Sequence, residues 1–310
     1  MPRLLIVKLS SLGDIAQVLP LLDALHAAVP FARIDWACEE EFAPLLRTQP
    51  GIHHIHAFPI RRLRKTGRGW KALFNAFRSL RHVEYDTVFD LQGNCKSALI
   101  TYLARAQRKI GFGPQSARER PNTWVTTHHV EVPRSAPIRA QYLSLIQSHF
   151  PHTQYIPSQA TRPLNLTPRI LVCPGTTWKT KQLPLDRWRA ILAQHAPAAF
   201  LYIWGTESEK QTCLALQATA GGTLVDKLTL PALYQLIRAS DRVLAVDSGL
   251  LHLAAAAGTP TTSYFGPTLA SVFAPQGALH LSHQGTCPYG LTFDKQCPRL
   301  RTCPTGACML

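Results

Sequence analysis

Acidic residues are scarce in this chain: 18 Asp and Glu stand against 33 Lys and Arg, a formal net charge of +15 over 310 residues. Such a surplus steers a protein toward anionic partners whatever its fold, whether nucleic acid, an anionic membrane surface or a phosphorylated substrate. An unpartnered, solvated basic surface is the plain alternative. Long apolar runs are also missing. Even residues 14–28 are interrupted by Asp23 and His26, and a membrane span needs about 18–20 apolar residues. The start, Met1-Pro2-Arg3-Leu4, lacks the basic, apolar and small-residue regions of a signal peptide, so synthesis is expected to end in the cytoplasm. No internal repeat or low-complexity tract appears. The basic residues neither fall on one recognition helix nor interleave with aromatics as in a stacking platform, which sets nucleic acid aside as a partner.

Paired cysteines at two-residue spacing are absent as well. Cys38, Cys95, Cys173 and Cys213 are scattered through strand-like or helical runs, where cysteine behaves as a small buried hydrophobe. Cys287, Cys297, Cys303 and Cys308 fall within the last 24 residues, interleaved with Pro288, Pro298 and Pro304. Without the paired spacing of a zinc site, these four are expected to be reduced structural thiols, so no metal is called for, with zinc or iron on the four as the alternative.

What is present is an alternation of short apolar runs and helical periods. Strands are expected at 3–8, 33–37, 53–58, 87–91 and 109–113, with helices from about 14, at 39–47, at 71–82 and at 94–105. Pro133, Pro137, Pro151, Pro157, Pro163 and Pro168 then surround one helical piece at 138–150, and a linker is placed at roughly 151–168. The pattern restarts with strands at 169–173, 200–204, 242–246 and 262–265 and helices at 185–195, 207–220 and 231–239. The fold class is α/β: two Rossmann-like domains, 1–155 and 168–310, with parallel sheets facing across a cleft and without the dinucleotide glycine fingerprint.

Ligands of open parallel sheets bind beyond the carboxyl ends of the strands, which singles out three loops. In Ser10-Ser11-Leu12-Gly13-Asp14, Gly13 allows close approach of a ligand; Asp14 stands at a helix start, where its plain role is an N-terminal cap. Pro174-Gly175-Thr176-Thr177-Trp178-Lys179-Thr180-Lys181 offers hydroxyls and lysines suited to diphosphate oxygens, or forms an ordinary polar turn. Asp247-Ser248-Gly249-Leu250-Leu251-His252 runs from a strand into a small-residue helix whose first amides suit a phosphate. His252 taken alone reads as a hydrogen-bonded core histidine. Gly266-Pro267-Thr268 is a fourth such segment. Arg61, Arg62, Arg64 and Lys65 form the densest basic run, in isolation a solvated turn.

Together these segments resemble the lipopolysaccharide heptosyltransferases, glycosyltransferase family 9, and the likeness spans most of the chain. Lys8 to Asp14 is similar to the family's opening loop, Asp247 to Leu253 to its Asp-Thr-Gly-Leu-Ser-His-Leu signature, and Gly266-Pro267-Thr268 to its Gly-Pro-Thr. Ile34-Asp35-Trp36 with Glu39 and Glu40, the Arg61 to Lys65 run, Asp90-Leu91-Gln92-Gly93 with Lys96-Ser97, and Ala117-Arg118-Glu119 resemble the branch that adds the first heptose to Kdo.

The resemblance implies a GT-B fold with acceptor-binding and ADP-sugar-binding domains in that order. It implies inverting transfer of heptose from ADP-L-glycero-D-manno-heptose to Kdo of lipid A-Kdo2, with no cofactor required. Asp14 would be the general base and Lys181 would neutralise the leaving group. Thr176, Thr177, Lys181, Glu209, Asp247, Ser248, Gly249, Leu250 and His252 would bind the donor. Ser10, Gly13, Arg61, Arg62, Arg64, Lys65, Gln92 and Arg118 would bind the acceptor, with guanidinium groups meeting its phosphates and carboxylates. A basic face would hold the enzyme peripherally on the cytoplasmic leaflet. A different acceptor, heptosyl core or protein, is the nearest alternative, and a basic nucleic-acid-binding protein a remote one. The chain departs from the family at Pro174, where a histidine is expected, at Ser248 for threonine and at Leu251 for a small polar residue. It also departs in its cysteine-rich tail, which takes the place of a final helix.

Overall fold

The protein was analysed as a computed structural model that describes residues 1–157 and 167–309. It divides into two compact units, Met1–Ile156 and Pro157–Leu310; half of the expected linker, 158–166, lies outside the described residues.

The first unit contains strands β1 (Arg3–Val7), β2 (Arg33–Glu39), β3 (Ile52–Phe58), β4 (Glu84–Asp90), β5 (Arg105–Phe112) and β6 (His128–Val130). They form one sheet in the order β3-β2-β1-β4-β5-β6, with every pairing parallel. Helices α1 (Leu12–Ala28), α2 (Ala43–Leu46), α3 (Ile60–Thr66), α4 (Trp70–Arg81), α5 (Cys95–Leu103) and α6 (Ile138–Gln147) connect or cover the strands. The central strand, Arg-Leu-Leu-Ile-Val, is buried from Leu4 onward, as a parallel strand covered on both faces requires. Leu5, Val7, Phe58, Leu80, Tyr85, Val88 and Ile100 form a core between sheet and helices.

The second unit repeats this plan with β7 (Arg169–Cys173), β8 (Ala199–Tyr202), β9 (Thr223–Leu224), β10 (Arg242–Val246), β11 (Thr261–Phe265) and β12 (His280–Gln284). Their order, β12-β11-β10-β7-β8-β9, is that of the first sheet read from the other edge, and again every pairing is parallel. Helices α7 (Leu185–Gln194), α8 (Glu207–Ala220), α9 (Leu230–Arg238), α10 (Gly249–Ala256) and α11 (Ala270–Phe273) complete it. Its core centres on Val172, Trp188, Tyr202, Leu244 and Val246. Each sheet therefore has a point where strand order reverses, between β1 and β4 and between β7 and β10. That reversal opens a crevice for ligand at the carboxyl ends of the strands.

Several expected boundaries move. The helix expected at 39–47 is instead the end of β2, a 3-10 turn at Glu40–Phe42 and the four residues of α2. The basic run is helical, within α3, rather than a turn. The tail closes on a 3-10 turn, Ala307–Met309, whose Met309 enters the core of the second unit.

Two glycines make that closure possible. A Cβ on Gly285 would lie 1.9 Å from the Cys308 carbonyl oxygen, and one on Gly266 would lie 2.5 Å from Met309 Sδ. Gly285→Ala should therefore cost about 1–3 kcal/mol by overpacking. It should also open the buried Cys308 thiol to a thiol reagent; a urea midpoint and a Cys308 labelling rate equal to those of the unaltered protein would disprove this closure.

Candidate active site

In the first unit the loop after β1 is held by side chains from the loop after β4. Gln92 Oε1 accepts from the Leu9 and Ser10 amides at 3.1 and 3.3 Å. Asp90 Oδ1 accepts from the Gln92 and Gly93 amides, and Oδ2 accepts from Thr101 Oγ1 and Asn122 Nδ2. Asp90 is fully buried, so four hydrogen bonds replace the water it has lost. Gly93, at φ +70°, turns the chain here, and its missing side chain leaves room for Phe112.

Ser11 and Asp14 form a capping box at the start of α1. Asp14 Oδ2 accepts from the Ser11 amide at 3.0 Å and from Ser11 Oγ at 3.2 Å. Ser11, then, is the cap, and Asp14 is the acid three residues on that reaches back to it. Asp14 Oδ1 accepts from the Tyr142 hydroxyl at 3.1 Å, and the same hydroxyl accepts from Lys8 Nζ at 2.7 Å. Lys8, almost fully buried, also donates to the Leu91 carbonyl. Burial pushes the Asp14 carboxyl up, but Lys8, the Ser11 amide, Tyr142 and Arg118 outweigh it and hold Asp14 below the ordinary aspartate value. Asp14 is thus an ionised carboxylate with a side chain 32% exposed.

The structure accordingly brings Ser10, Gly13, Asp14, Gln92 and Arg118 to one strand end. The basic run stands at the start of α3, after β3. Arg61 is paired with Glu41 at 2.6 Å and Arg62 with Glu40 at 3.0 Å, while Arg64 and Lys65 are exposed.

In the second unit Asp247, at the end of β10, collects the neighbouring loops. Its Oδ2 accepts from Lys181 Nζ at 2.6 Å and from Thr268 Oγ1 at 2.7 Å, and Oδ1 lies 3.6 Å from His252 Nε2. Its carbonyl accepts from Thr176 Oγ1 at 3.1 Å. Burial raises the Asp247 carboxyl, but His252 and Lys181 more than reverse this and hold it far below the ordinary value. Ser248 precedes the first turn of α10, and its buried Oγ has no hydrogen-bond partner among the described residues.

Glu209 repeats the device of Asp14. It closes a capping box with Thr206 at the start of α8, and its Oε2 accepts from the Gly205 and Thr206 amides. It lies against Gly175, where a Cβ would be 2.5 Å from Oε1. Thr177 is exposed and Gly249 and Leu250 are half-buried. Leu251 is fully buried, so its departure from the family pattern falls in the core.

The cysteine tail is tied to the loop after β7. Thr180 Oγ1 donates to the Leu300 carbonyl at 2.6 Å, and the Arg301 guanidinium sits 4.7 Å above the Trp178 ring. Cys287, Cys297, Cys303 and Cys308 are free thiols lining one water-sized cavity of about 20 Å³ beside Thr180. Among the described residues no group of three or more His, Cys, Asp or Glu is placed to hold a metal ion. Sequence reasoning missed Tyr142, which meets Asp14 from 128 residues away. Lys8 was visible as a lysine ending an apolar strand, and both boxes as Ser/Thr-x-x-Asp/Glu.

Two sheets of this order, each with its candidate loops at the strand reversal, define the class, and solved structures agree. Escherichia coli heptosyltransferase WaaC with ADP is 25% identical with a TM-score of 0.80, covering 92% of this chain and 93% of that one. WaaC with ADP-2-deoxy-2-fluoro heptose is 26% identical with a TM-score of 0.77, covering 91% and 93%. The fold is that of a GT-B glycosyltransferase. Residues 73–300 match the model of glycosyltransferase family 9 (heptosyltransferase). Lipopolysaccharide heptosyltransferase 1 of Pseudomonas aeruginosa is 32% identical over 86% of this chain and 79% of its own length. The chain belongs to glycosyltransferase family 9, the heptosyltransferases of lipopolysaccharide core biosynthesis.

Two changes test the site's electrostatics. Tyr142→Phe removes the hydroxyl between Lys8 and Asp14 and should cost about 1–3 kcal/mol. Because that hydroxyl lowers the Asp14 pKa, its loss should move the Asp14 titration to higher pH, read by carboxyl NMR; an unmoved titration would contradict the network. Asp247→Asn strands the largely buried Lys181 and should cost about 3 kcal/mol at neutral pH. Since the folded pKa of Asp247 is depressed below its unfolded value of about 3.9, the stability gap between the two proteins should be complete above that pH. It should narrow as the pH falls toward the folded value, and urea melts showing a constant gap from pH 7 to 3 would refute the pairing.

Proposed function

We propose that this enzyme transfers heptose from ADP-L-glycero-D-manno-heptose to a Kdo hydroxyl of lipid A-Kdo2, inverting the anomeric centre. The observation that carries the reading is Asp14: a carboxylate kept ionised by Lys8, Tyr142 and Ser11, still partly open to solvent, beside Arg118. Each carboxylate oxygen has two acceptor positions, so Asp14 can hold its cap and also receive a proton. As the Kdo oxygen forms its bond to the anomeric carbon, its proton passes to Asp14, and the bond from that carbon to the diphosphate oxygen breaks with its electrons leaving on ADP. A single displacement of this kind inverts the centre.

The donor would be held by the second unit. Thr176, Thr177, Ser248 Oγ and the first amides of α10 at Gly249 and Leu250 suit the diphosphate. Lys181 uses one of its three N–H donors on Asp247, leaving two for the charge that develops on ADP. Asp247 Oδ1, with His252 beside it, would meet a heptose hydroxyl, and Glu209 the adenosine ribose. These groups do the work of a cation, and the reading calls for none. Ser10, Gly13, Gln92, Arg61, Arg62, Arg64, Lys65 and Arg118 would receive the acceptor, whose phosphates and carboxylates match guanidinium geometry. None of the described helices is long and apolar enough to cross a membrane. The +15 charge supports peripheral work on the cytoplasmic face of the inner membrane.

Incubation with ADP-heptose and Kdo2-lipid A, following ADP release and acceptor mass, tests this. The acceptor is expected to gain one heptose per ADP; ADP release without that gain would reject the acceptor and favour heptosyl core or protein. Asp14→Asn retains an oxygen for the Ser11 amide, so it should bind ADP-heptose normally while turnover drops about 10²–10⁴-fold. Undiminished turnover would remove Asp14 as the base.

A further inference from the structure

Of the eight exposed large apolar side chains described in the first unit, five gather on three adjacent elements; Met1, Phe31 and Ile156 lie elsewhere. Trp70 and Phe74 of α4 are 69% and 65% exposed, Leu99 and Tyr102 of α5 are 53% and 66%, and Trp124, ending the 3-10 turn Arg120–Trp124, is 81%. The fold places them together: α4 packs against β3 and α5, and α5 packs against that turn. Crossovers from β3 to β4 and from β4 to β5 run opposite to that from β1 to β2, so right-handedness puts α4 and α5 on the sheet face away from α1.

α4 has two distinct sides. Ala76 and Leu80, with Leu73 and Phe77, pack into the core. The outward stripe holds Trp70, Lys71, Phe74, Arg78 and Arg81, all exposed, where a water-facing helix would carry only polar residues. No Asp or Glu occurs from residue 42 to 83, whereas Arg61, Arg62, Arg64, Lys65, Arg68, Lys71, Arg78 and Arg81 all do. Of these, Arg61 and Arg62 pair with Glu41 and Glu40, and Arg64 stands near enough to Glu39 to work against the upward push of burial on its carboxyl; all three are on α3. Aromatic rings among unopposed cations on one helix fit a phospholipid surface: rings enter the acyl boundary while lysine and arginine meet the phosphates. A second copy of the same basic face would be repelled.

We propose that the face formed by α4, α5 and the Arg120–Trp124 turn is a membrane-insertion surface for anionic phospholipid, with Trp70 and Phe74 as its anchors. This deepens the reading of the chain as an enzyme of a lipid-borne acceptor, because it names how the first unit meets the bilayer that carries that acceptor.

The test is co-sedimentation of the full chain with phosphatidylglycerol–phosphatidylethanolamine vesicles and with pure phosphatidylcholine vesicles. Binding to the first, weakening as salt is raised, and little to the second is expected. The double variant Trp70→Ser with Phe74→Ser should bind about tenfold more weakly; both side chains are exposed, so its thermal melting should match that of the unaltered protein. Equal vesicle binding by the two proteins would overturn the inference. So would a dimer in sedimentation velocity, or retention of a single-stranded oligonucleotide, that the double variant abolishes while vesicle binding persists. On a deacylated, water-soluble acceptor both proteins should turn over equally, and on vesicle-borne acceptor the variant should be slower. Equal rates on both acceptors would overturn the insertion surface and leave the functional reading intact. Absence of turnover on either acceptor would reject the functional reading, while vesicle binding would still decide this one.

Discussion

A buried carboxylate must be matched by donors or it costs several kcal/mol, and Asp247 meets this constraint by gathering three loops around itself. Lys181 comes from the segment after β7, His252 from α10 and Thr268 from the segment after β11. Each of those segments follows a strand of the same sheet, so satisfying one charge fixes the relative positions of all three. The tail then braces this arrangement from outside, through Thr180 and the Leu300 carbonyl, one residue from Lys181. The cysteines belong to that brace: all four line a cavity next to Thr180, with Cys297 and Cys308 buried and Cys287 and Cys303 partly exposed.

The first unit solves the same problem with different residues. Asp90 is satisfied entirely by neutral donors, while the lysine of this strand end, Lys8, is turned toward Asp14 through Tyr142. In both units a lysine of low exposure sits where the strand order reverses. The rest of the basic surplus lies outside these networks, much of it on α3 and α4, where Glu39, Glu40 and Glu41 offset only arginines of α3.

Apolar strands and long helices were legible from residue pattern. β7, β10 and α8 begin and end where the apolar runs and the helical period place them. β6, β9 and β12 were not, because His128–Val130, Thr223–Leu224 and His280–Gln284 are short or polar edge strands whose pairing comes from the sheet and not from local preference. β5 begins at Arg105, four residues earlier than expected, since its polar opening reads as the end of the preceding helix. The candidate loops were visible because they follow apolar strands. Their internal wiring was hidden wherever it depends on distant residues: Tyr142 on Asp14, Leu300 on Thr180.

The capping boxes closed by Asp14 and Glu209 have a further consequence. A glutamate side chain ordered from solution gives up as much as about 2 kcal/mol of rotamer entropy, and an aspartate somewhat less. Asp14 and Glu209 each surrender that freedom when their helices form, because one oxygen is already committed to the cap amides. A molecule arriving at either carboxylate meets a group whose direction is settled, and the ordering cost has been charged to folding, leaving binding free of it.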